Sequence, residues 1–315
     1  MNPRRATFRV YKRGGYKLQY NSALGREFAL RSLKLGVVGT ALLSTVLSAA
    51  QVIIPASSLS SSNSLYTNDF GSIVVPTGGG NAANVGAANG RNDDGFSGPV
   101  NLGFTLNFYG QSYTQFYINN NGNVSFGAGI SEYIPTGPTG ANVPVISPFF
   151  ADVDTRATNS GVVHLAQNSN QDIVTWDHVG YYSAHDNLLD TFQLILRGPG
   201  YSIPSGEGQI GFFYTTMQWD STDTSTVAAI GFGDGAGNSQ VLQGSIQPGT
   251  AALVQNHHIW FNLDGGTVVP VTPGGPEPPP PAATPEPGST SLIVAGLGGL
   301  AFLGRRKLRR APEAK

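Results

Sequence analysis

Between residues 65 and 265 apolar residues recur at every second position in short runs, and each run is cut off by a cluster of Gly, Asn, Asp or Pro. Strand side chains alternate between two faces, so this period of two marks half-buried β-strands, whereas amphipathic helices repeat every 3.6 residues or so. In Thr191-Phe192-Gln193-Leu194-Ile195-Leu196-Arg197, the residues Phe192, Leu194 and Leu196 share one face while Gln193 and Arg197 share the other. Tyr113 to Asn119 places Thr114, Phe116 and Ile118 on one side. The chain then turns through Asn119-Asn120-Asn121-Gly122 into Asn123-Val124-Ser125-Phe126-Gly127, a hairpin whose Asn-Gly pair accepts positive φ. Further strands are expected at 100–108, 161–166, 172–182, 208–216, 227–233 and 257–263, and no long stretch shows helical periodicity. The spacing of the turn signals predicts an all-β fold, a single antiparallel β-sandwich-like domain.

Cysteine is absent, so a domain exported to an oxidising compartment has no disulfides to lean on and must bury a hydrophobic core. The roughly 200 residues between Ser64 and Gly265 are enough for one.

Both ends of the chain differ from this domain. Residues 1–34 carry nine cations against the single acid Glu27, and the apolar run Leu35 to Leu47 follows, with small residues at Ser48 and Ala50. A basic start, an apolar run and small residues in this order make a secretory signal peptide over 1–50, read by the general secretion machinery and cut after Ala50. A mitochondrial transit peptide is the rival for an Arg-rich start, but the uninterrupted apolar run argues for secretion. Residues 51–64 are Ser-rich and read as a flexible leader. Residues 266–284 hold Pro276-Glu277-Pro278-Pro279-Pro280-Pro281, expected as an extended linker.

The C-terminus runs through Thr284-Pro285-Glu286-Pro287-Gly288 into the apolar stretch Leu292 to Leu303, and Arg305, Arg306, Lys307, Arg309 and Arg310 follow at once. That stretch falls short of the roughly 20 residues that span a bilayer comfortably. Its hard basic flank is nonetheless the mark of a membrane segment held by positive charge on the inner side. In its three-part order, residues 285–310 resemble the PEP-CTERM sorting tail. The resemblance implies that an exosortase-type transpeptidase recognises Pro285, Glu286 and Pro287, that the C-terminal hydrophobic helix inserts in the membrane only transiently, and that the mature protein ends near Pro287. The β-sandwich is thus expected to be flanked by an N-terminal signal helix and a C-terminal sorting helix.

These two ends hold 15 of the 18 basic residues. Residues 51–287 keep only Arg91, Arg156 and Arg197, against 17 of the 19 acids, a net charge of about −14 with no lysine. Affinity for nucleic acid rests on cations facing phosphates, so a nucleic-acid partner is excluded. Divalent cations or basic partners suit such a surface.

Within the domain, Ile146-Ser147-Pro148-Phe149-Phe150-Ala151-Asp152-Val153-Asp154-Thr155-Arg156 is followed by Gly161-Val162-Val163-His164, Val174-Thr175-Trp176, Asp190 to Leu196 and Phe213 to Trp219. Ala229 to Gly235 and Ile259 to Asp264 close the series. This ordered set resembles the NIDO domain, the extracellular module of nidogen, α-tectorin and some mucins. The similarity spans 145–265, with 65–144 expected as an N-terminal β portion completing the same sheets. It implies an extracellular, adhesive or matrix-associated role toward polysaccharide or matrix proteins, and it supplies no catalytic site.

Asp152 and Asp154 lie two residues apart, so on a strand they share a face and suit either Ca²⁺ or an acid/base pair. An EF-hand loop begun at Asp152 would require Gly at 157 and Glu at 163, where the chain has Ala157 and Val163. A glycosidase would require carboxylates opposed across a cleft. The resemblance places both acids in a shared Pro-Phe-x-Ala-Asp-x-Asp signature and implies structural hydrogen bonding, or an ion pair of Arg156 with one of them, with Ca²⁺ the alternative and no other cofactor implied. Gly231 to Gly237 loosely fits a dinucleotide loop but leads into β-like sequence rather than a helix. His164, His178, His185, His257 and His258 lack zinc-site spacing, although His178 and His185 could converge with Asp177 or Asp186. No Gly-x-Ser-x-Gly elbow occurs, so no catalytic residue is assigned and a non-enzymatic protein is expected. Trp176, Trp219, Trp260 and the Tyr181-Tyr182 pair leave a glycan-binding or glycan-hydrolysing protein as the alternative.

Overall fold

A computed structural model describes residues 51–134, 141–222 and 227–272. The expected signal and sorting helices lie outside these residues. Among the described residues, no helix is long and apolar enough to cross a membrane.

The first half of the described chain forms β1 (Gln51–Ile54), β2 (Ser60–Ser61), β3 (Ser72–Ile73), β4 (Gly78–Gly79), β5 (Gly95–Phe96), β6 (Val100–Phe108), β7 (Gln111–Asn119), β8 (Asn123–Ser125) and β9 (Pro144–Phe150). The second half forms β10 (Val153–Asp154), β11 (Val163–Gln167), β12 (Gln171–Tyr181), β13 (His185–Arg197) and β14 (Ile210–Met217). It ends with β15 (Ala229–Asp234), β16 (Ser239–Leu242), the one-turn helix α1 (Thr250–Val254), β17 (His257–Asp264) and β18 (Thr267–Pro270).

Two sheets result. One runs β1-β16-β15-β9-β8-β7-β5-β4 with β6 on β7, and the other runs β18-β17-β14-β13-β12-β11-β3 with β10 on β12 and β2 on β17. The pairs are antiparallel except for β1 beside β16. Aromatic contacts bridge the sheets: Phe149 of β9 lies 5.4 Å from Phe192 of β13, and Phe232 of β15 stacks 5.3 Å from Phe212 of β14. The all-β sandwich expected from the alternation is the observed fold.

The leader reading of 51–64 requires correction. Its residues supply an edge strand to each sheet, β1 in parallel with β16 and β2 antiparallel to β17. Ile54 is buried in the core, and the open edges of β16 and β17 offer unpaired backbone groups that an exported chain has reason to cover. At the other end β18 carries the sheet past residue 265, into the stretch expected as linker.

Strand β13 is buried on both faces over Asp190–Arg197. Phe192, Leu194 and Leu196 enter the inter-sheet core as the alternation requires. Ile195 belongs to a smaller outer cluster with Ile173, Phe213 and Trp260, roofed by Leu65 and Tyr66. Gln193 on that outer face donates to Thr67 O and Thr175 Oγ1, both at 2.9 Å. Arg197 beside it is fully buried, with Nη1 donating to Gly208 O at 3.0 Å and Nη2 reaching the Tyr66 hydroxyl at 3.0 Å and Glu207 Oε2 at 2.5 Å. Its guanidinium lies over the rings of Trp260 and Tyr201, 4.2 and 4.4 Å from their centres.

Candidate functional site

At one end of the sandwich three segments are tied into a carboxylate-rich pocket. The first is the turn between β7 and β8. Gly122 there has φ of 72° and packs against the Phe149 carbonyl, where a Cβ would collide, so the turn requires glycine. The second is the loop Asn92 to Asp94 leading into β5, and the third is Asp152 to Arg156 around β10.

Asparagines hold these segments together. Asn121 Nδ2 donates to Asp94 Oδ1 at 2.7 Å while its Oδ1 accepts from Val153 N at 3.0 Å, and Asn120 Nδ2 donates to Val153 O. Asn92 N donates to Thr155 Oγ1 at 2.9 Å, Thr155 N returns a bond to Asn92 O at 3.0 Å, and Asp93 and Asp154 form an antiparallel bridge. Each amide both donates and accepts, so one side chain can fix two backbone segments that share no sheet.

Four carboxylates meet one cation here. Asp154 is fully committed: Oδ1 accepts from Arg156 N and Nε, both at 2.9 Å, while Oδ2 accepts from Arg156 Nη2 at 2.5 Å and Ala184 N at 2.7 Å. Arg156 Nη2 also reaches Asp93 Oδ2 at 2.7 Å. Asp93 Oδ1 and Asp152 Oδ1 are buried with no hydrogen-bond partner. One oxygen from each of Asp93, Asp94 and Asp152 lies within 4.8 Å of the others. Burial, together with the neighbouring carboxylates, pushes Asp93 and Asp152 up to about 7, with Arg156 opposing the shift. Asp94, half-buried and also raised chiefly by burial, sits at φ 62°.

The two acids singled out in the sequence thus part company. Asp152 lies just before β10, outside the strand, so the two-residue alternation does not govern it. It groups with Asp93 and Asp94, whereas Asp154 is taken by Arg156. The sequence reasoning missed Asp93, Asp94 and Asn121. The run Asn92-Asp93-Asp94-Gly95 was their available signal, since adjacent acids before a glycine mark a turn with carboxylates held close together.

Other candidates resolve differently. Gly235 to Gly237 lie in the turn of the β15–β16 hairpin, and Asp234 Oδ1 caps that turn by accepting from Ala236 N at 2.7 Å and Asn238 N at 2.9 Å. His178 Nδ1 contacts Asp177 Oδ1 at 2.5 Å, and His185 stacks on Tyr181 with its Nδ1 2.9 Å from Tyr182 O, so the two histidines do not share a ligand set among the described residues. Trp176, Trp219 and Trp260 are core residues, and only Tyr182 of the Tyr181-Tyr182 pair is exposed. The indoles of Trp176 and Trp219 donate to Asn120 O and Val179 O. A groove of about 600 Å³ lies between Gly71–Val75, Ser97–Val100 and Leu165–Gln167, and Asp69 is the one carboxylate lining it. Ser48, Ala50, Pro285, Glu286, Pro287, Arg305, Arg306, Lys307, Arg309 and Arg310 lie outside the described residues.

Comparison with known proteins covers both parts of the chain. Residues 65–270 match the NIDO-related family, and residues 283–310 match the PEP-CTERM protein-sorting motif. The family match takes in the whole N-terminal β portion as well as 145–265. Nidogen of Drosophila melanogaster is 28% identical over 29% of this chain and 9% of its own length. Alpha-tectorin of Mus musculus is 29% identical over 34% of this chain and 6% of its own, and alpha-tectorin of Gallus gallus is 24% identical over 56% and 10%. The chain thus spans about a tenth or less of these curated relatives. No solved structure matches. Its β-sandwich, the ordered motifs that build it and the sorting tail behind it make this chain a member of the NIDO-related family, secreted to the cell surface.

Proposed function

We propose that the exported domain is a non-enzymatic adhesion or structural module of an extracellular, polysaccharide-containing matrix, delivered by an exosortase-type system. The observation that carries this reading is the succession of a NIDO-related domain and a sorting motif in one chain. Two features of the domain agree with it. Its tryptophans fill the core rather than a sugar-stacking platform, and the groove beside Leu165–Gln167 is lined by the single carboxylate Asp69, not by the opposed pair that glycoside hydrolysis requires.

Intact-mass measurement of the protein recovered from envelope and medium tests the delivery. The expected product begins at Gln51 and ends near Pro287, and an uncut C-terminus on most of the exported protein would contradict exosortase processing. Matrix cohesion in cells lacking residues 65–270 tests the role, with loss of cohesion expected. Release of reducing sugar from matrix polysaccharide by the purified protein would overturn the non-enzymatic reading in favour of the hydrolase.

A further inference from the structure

We propose that Asp93, Asp94 and Asp152 form a Ca²⁺ site on the exported domain. Geometry comes first. Ca²⁺ binds oxygen at about 2.3–2.6 Å, so ligands on opposite sides of one ion stand up to about 5 Å apart. The three carboxylate oxygens, all within 4.8 Å of one another, fall inside that limit.

A second, independent observation concerns what the pocket leaves undone. Asp152 is 2% exposed, and its Oδ1 has no hydrogen-bond partner. Asp93 Oδ1 is in the same condition. The nearby cation does not reach these atoms: Arg156 directs Nε and Nη2 at the two oxygens of Asp154 and at Asp93 Oδ2. A buried carboxylate oxygen without a partner is expensive, and native structures rarely tolerate one without an ion, a water or a proton. Asp172 and Asp190 also carry a bare oxygen each, but neither belongs to a group of three ligating side chains among the described residues. What distinguishes the pocket is that the two side chains with bare oxygens, together with Asp94, each bring a carboxylate oxygen within 4.8 Å of the others.

The donor set selects the ion. Oxygen ligands without nitrogen or sulfur favour hard cations over zinc or copper. Among these, Mg²⁺ demands near-octahedral placement at about 2.0–2.1 Å, whereas Ca²⁺ accepts irregular carboxylates and fills its remaining positions with water. The hydrogen-bonded Asn121 fixes Asp94, and the partial exposure of Asp94 opens the pocket to solvent. Three protein carboxylates with water completing the shell suit the weak end of calcium affinity, a Kd of about 10⁻⁴–10⁻³ M, as extracellular modules show.

Calorimetric titration of the full chain in detergent, stripped with chelator and then given CaCl₂ or MgCl₂, decides the matter together with thermal melting. One high-occupancy Ca²⁺ site and a rise in Tm are expected, with Asp152→Asn and Asp94→Asn each weakening binding at least tenfold. Asp172→Asn, a buried carboxylate outside the pocket, should keep the parent affinity. If Asp152→Asn fails to fold, the half-exposed Asp94→Asn carries the decision. Absence of both heat and Tm shift at about 10 mM Ca²⁺, well above the expected Kd, would overturn the site. Unchanged affinity in the pocket variants, or Mg²⁺ binding as tightly as Ca²⁺, would do the same.

Discussion

Two clusters of buried ionisable groups in this sandwich are finished differently. On the outer face of the second sheet Arg197 is enclosed by Glu207, Tyr66, Tyr201 and Trp260, so one cation meets one anion, one hydroxyl and three aromatic rings. At the end of the sandwich Asp93, Asp94, Asp152 and Asp154 share the single cation Arg156. The first network matches its one cation with one anion, leaves only Arg197 Nε without a partner, and holds a strand face against the segment that roofs it. The second retains surplus negative charge and bare oxygens, a condition that serves stability poorly and a cation well. Neither burial of charge nor a bare oxygen marks a functional site by itself, as Asp172 and Asp190 show; convergence of several such carboxylates sets the second cluster apart.

The largest effect expected in this comparison is that of Arg197→Ala, which should cost about 3–5 kcal/mol in chemical denaturation by removing the guanidinium and the stem that pack the outer cluster. A cost no greater than that of a surface substitution would mean that the Arg197 network is ornamental. Next, Arg156→Met should lower stability by about 2 kcal/mol in chelator, because four carboxylates lose the one cation among them. Added Ca²⁺ should restore part of that loss, and equal losses with and without Ca²⁺ would break the contrast between the two regions.

Asp172 provides a control on pH, since it is a buried carboxyl standing apart from the cluster. Burial raises it from 3.8 to about 7, with the hydrogen bond from Gln167 opposing. An acid whose folded pKa lies above its unfolded one favours folding while protonated, and that advantage disappears as pH rises from 4 through 7. Asp172→Asn should therefore leave Tm unchanged near pH 4 and stabilise the domain by about 2 kcal/mol at pH 8, with relaxation around the charge absorbing the rest of the roughly 4 kcal/mol that three pKa units represent. Melting curves at both pH values check this, and a gain at pH 4 would reverse the sign of the argument. The smallest effect belongs to Asp94→Asn, which in chelator should stabilise by less than about 1 kcal/mol because its half-exposed charge is screened. Destabilisation in chelator would show that Asp94 is structural rather than surplus.

Much of the fold was legible in the residues because alternation is local. Phe192, Leu194 and Leu196 face the core as their spacing demands, and Asn120-Asn121-Gly122 turns the β7–β8 hairpin where positive φ requires it. The burial of Gln193 and Arg197 was not legible, since the roof over them comes from Tyr66 and Thr67, more than a hundred residues away in sequence. The strand at Gln51–Ile54 escaped for a related reason: a short Ser-flanked segment has no strong pattern of its own and is ordered by the edge of β16. In the pocket, Asp152 was visible as half of a same-face pair, but its true neighbours come from another loop.

By itself the sequence determined the destination and the class of fold. Export signals, sorting motif, net charge and strand periodicity are written in contiguous residues, and each is read without knowing what lies beside it. Only the tertiary structure decided which acid is spent and which is left over. Asp152 and Asp154 are near neighbours of the same type, and their environments diverge because Arg156 folds back on one while the loop carrying Asp93 and Asp94 is brought against the other. Electrostatic roles depend on distances in space and on exclusion of water, and neither quantity exists until the sheets have packed.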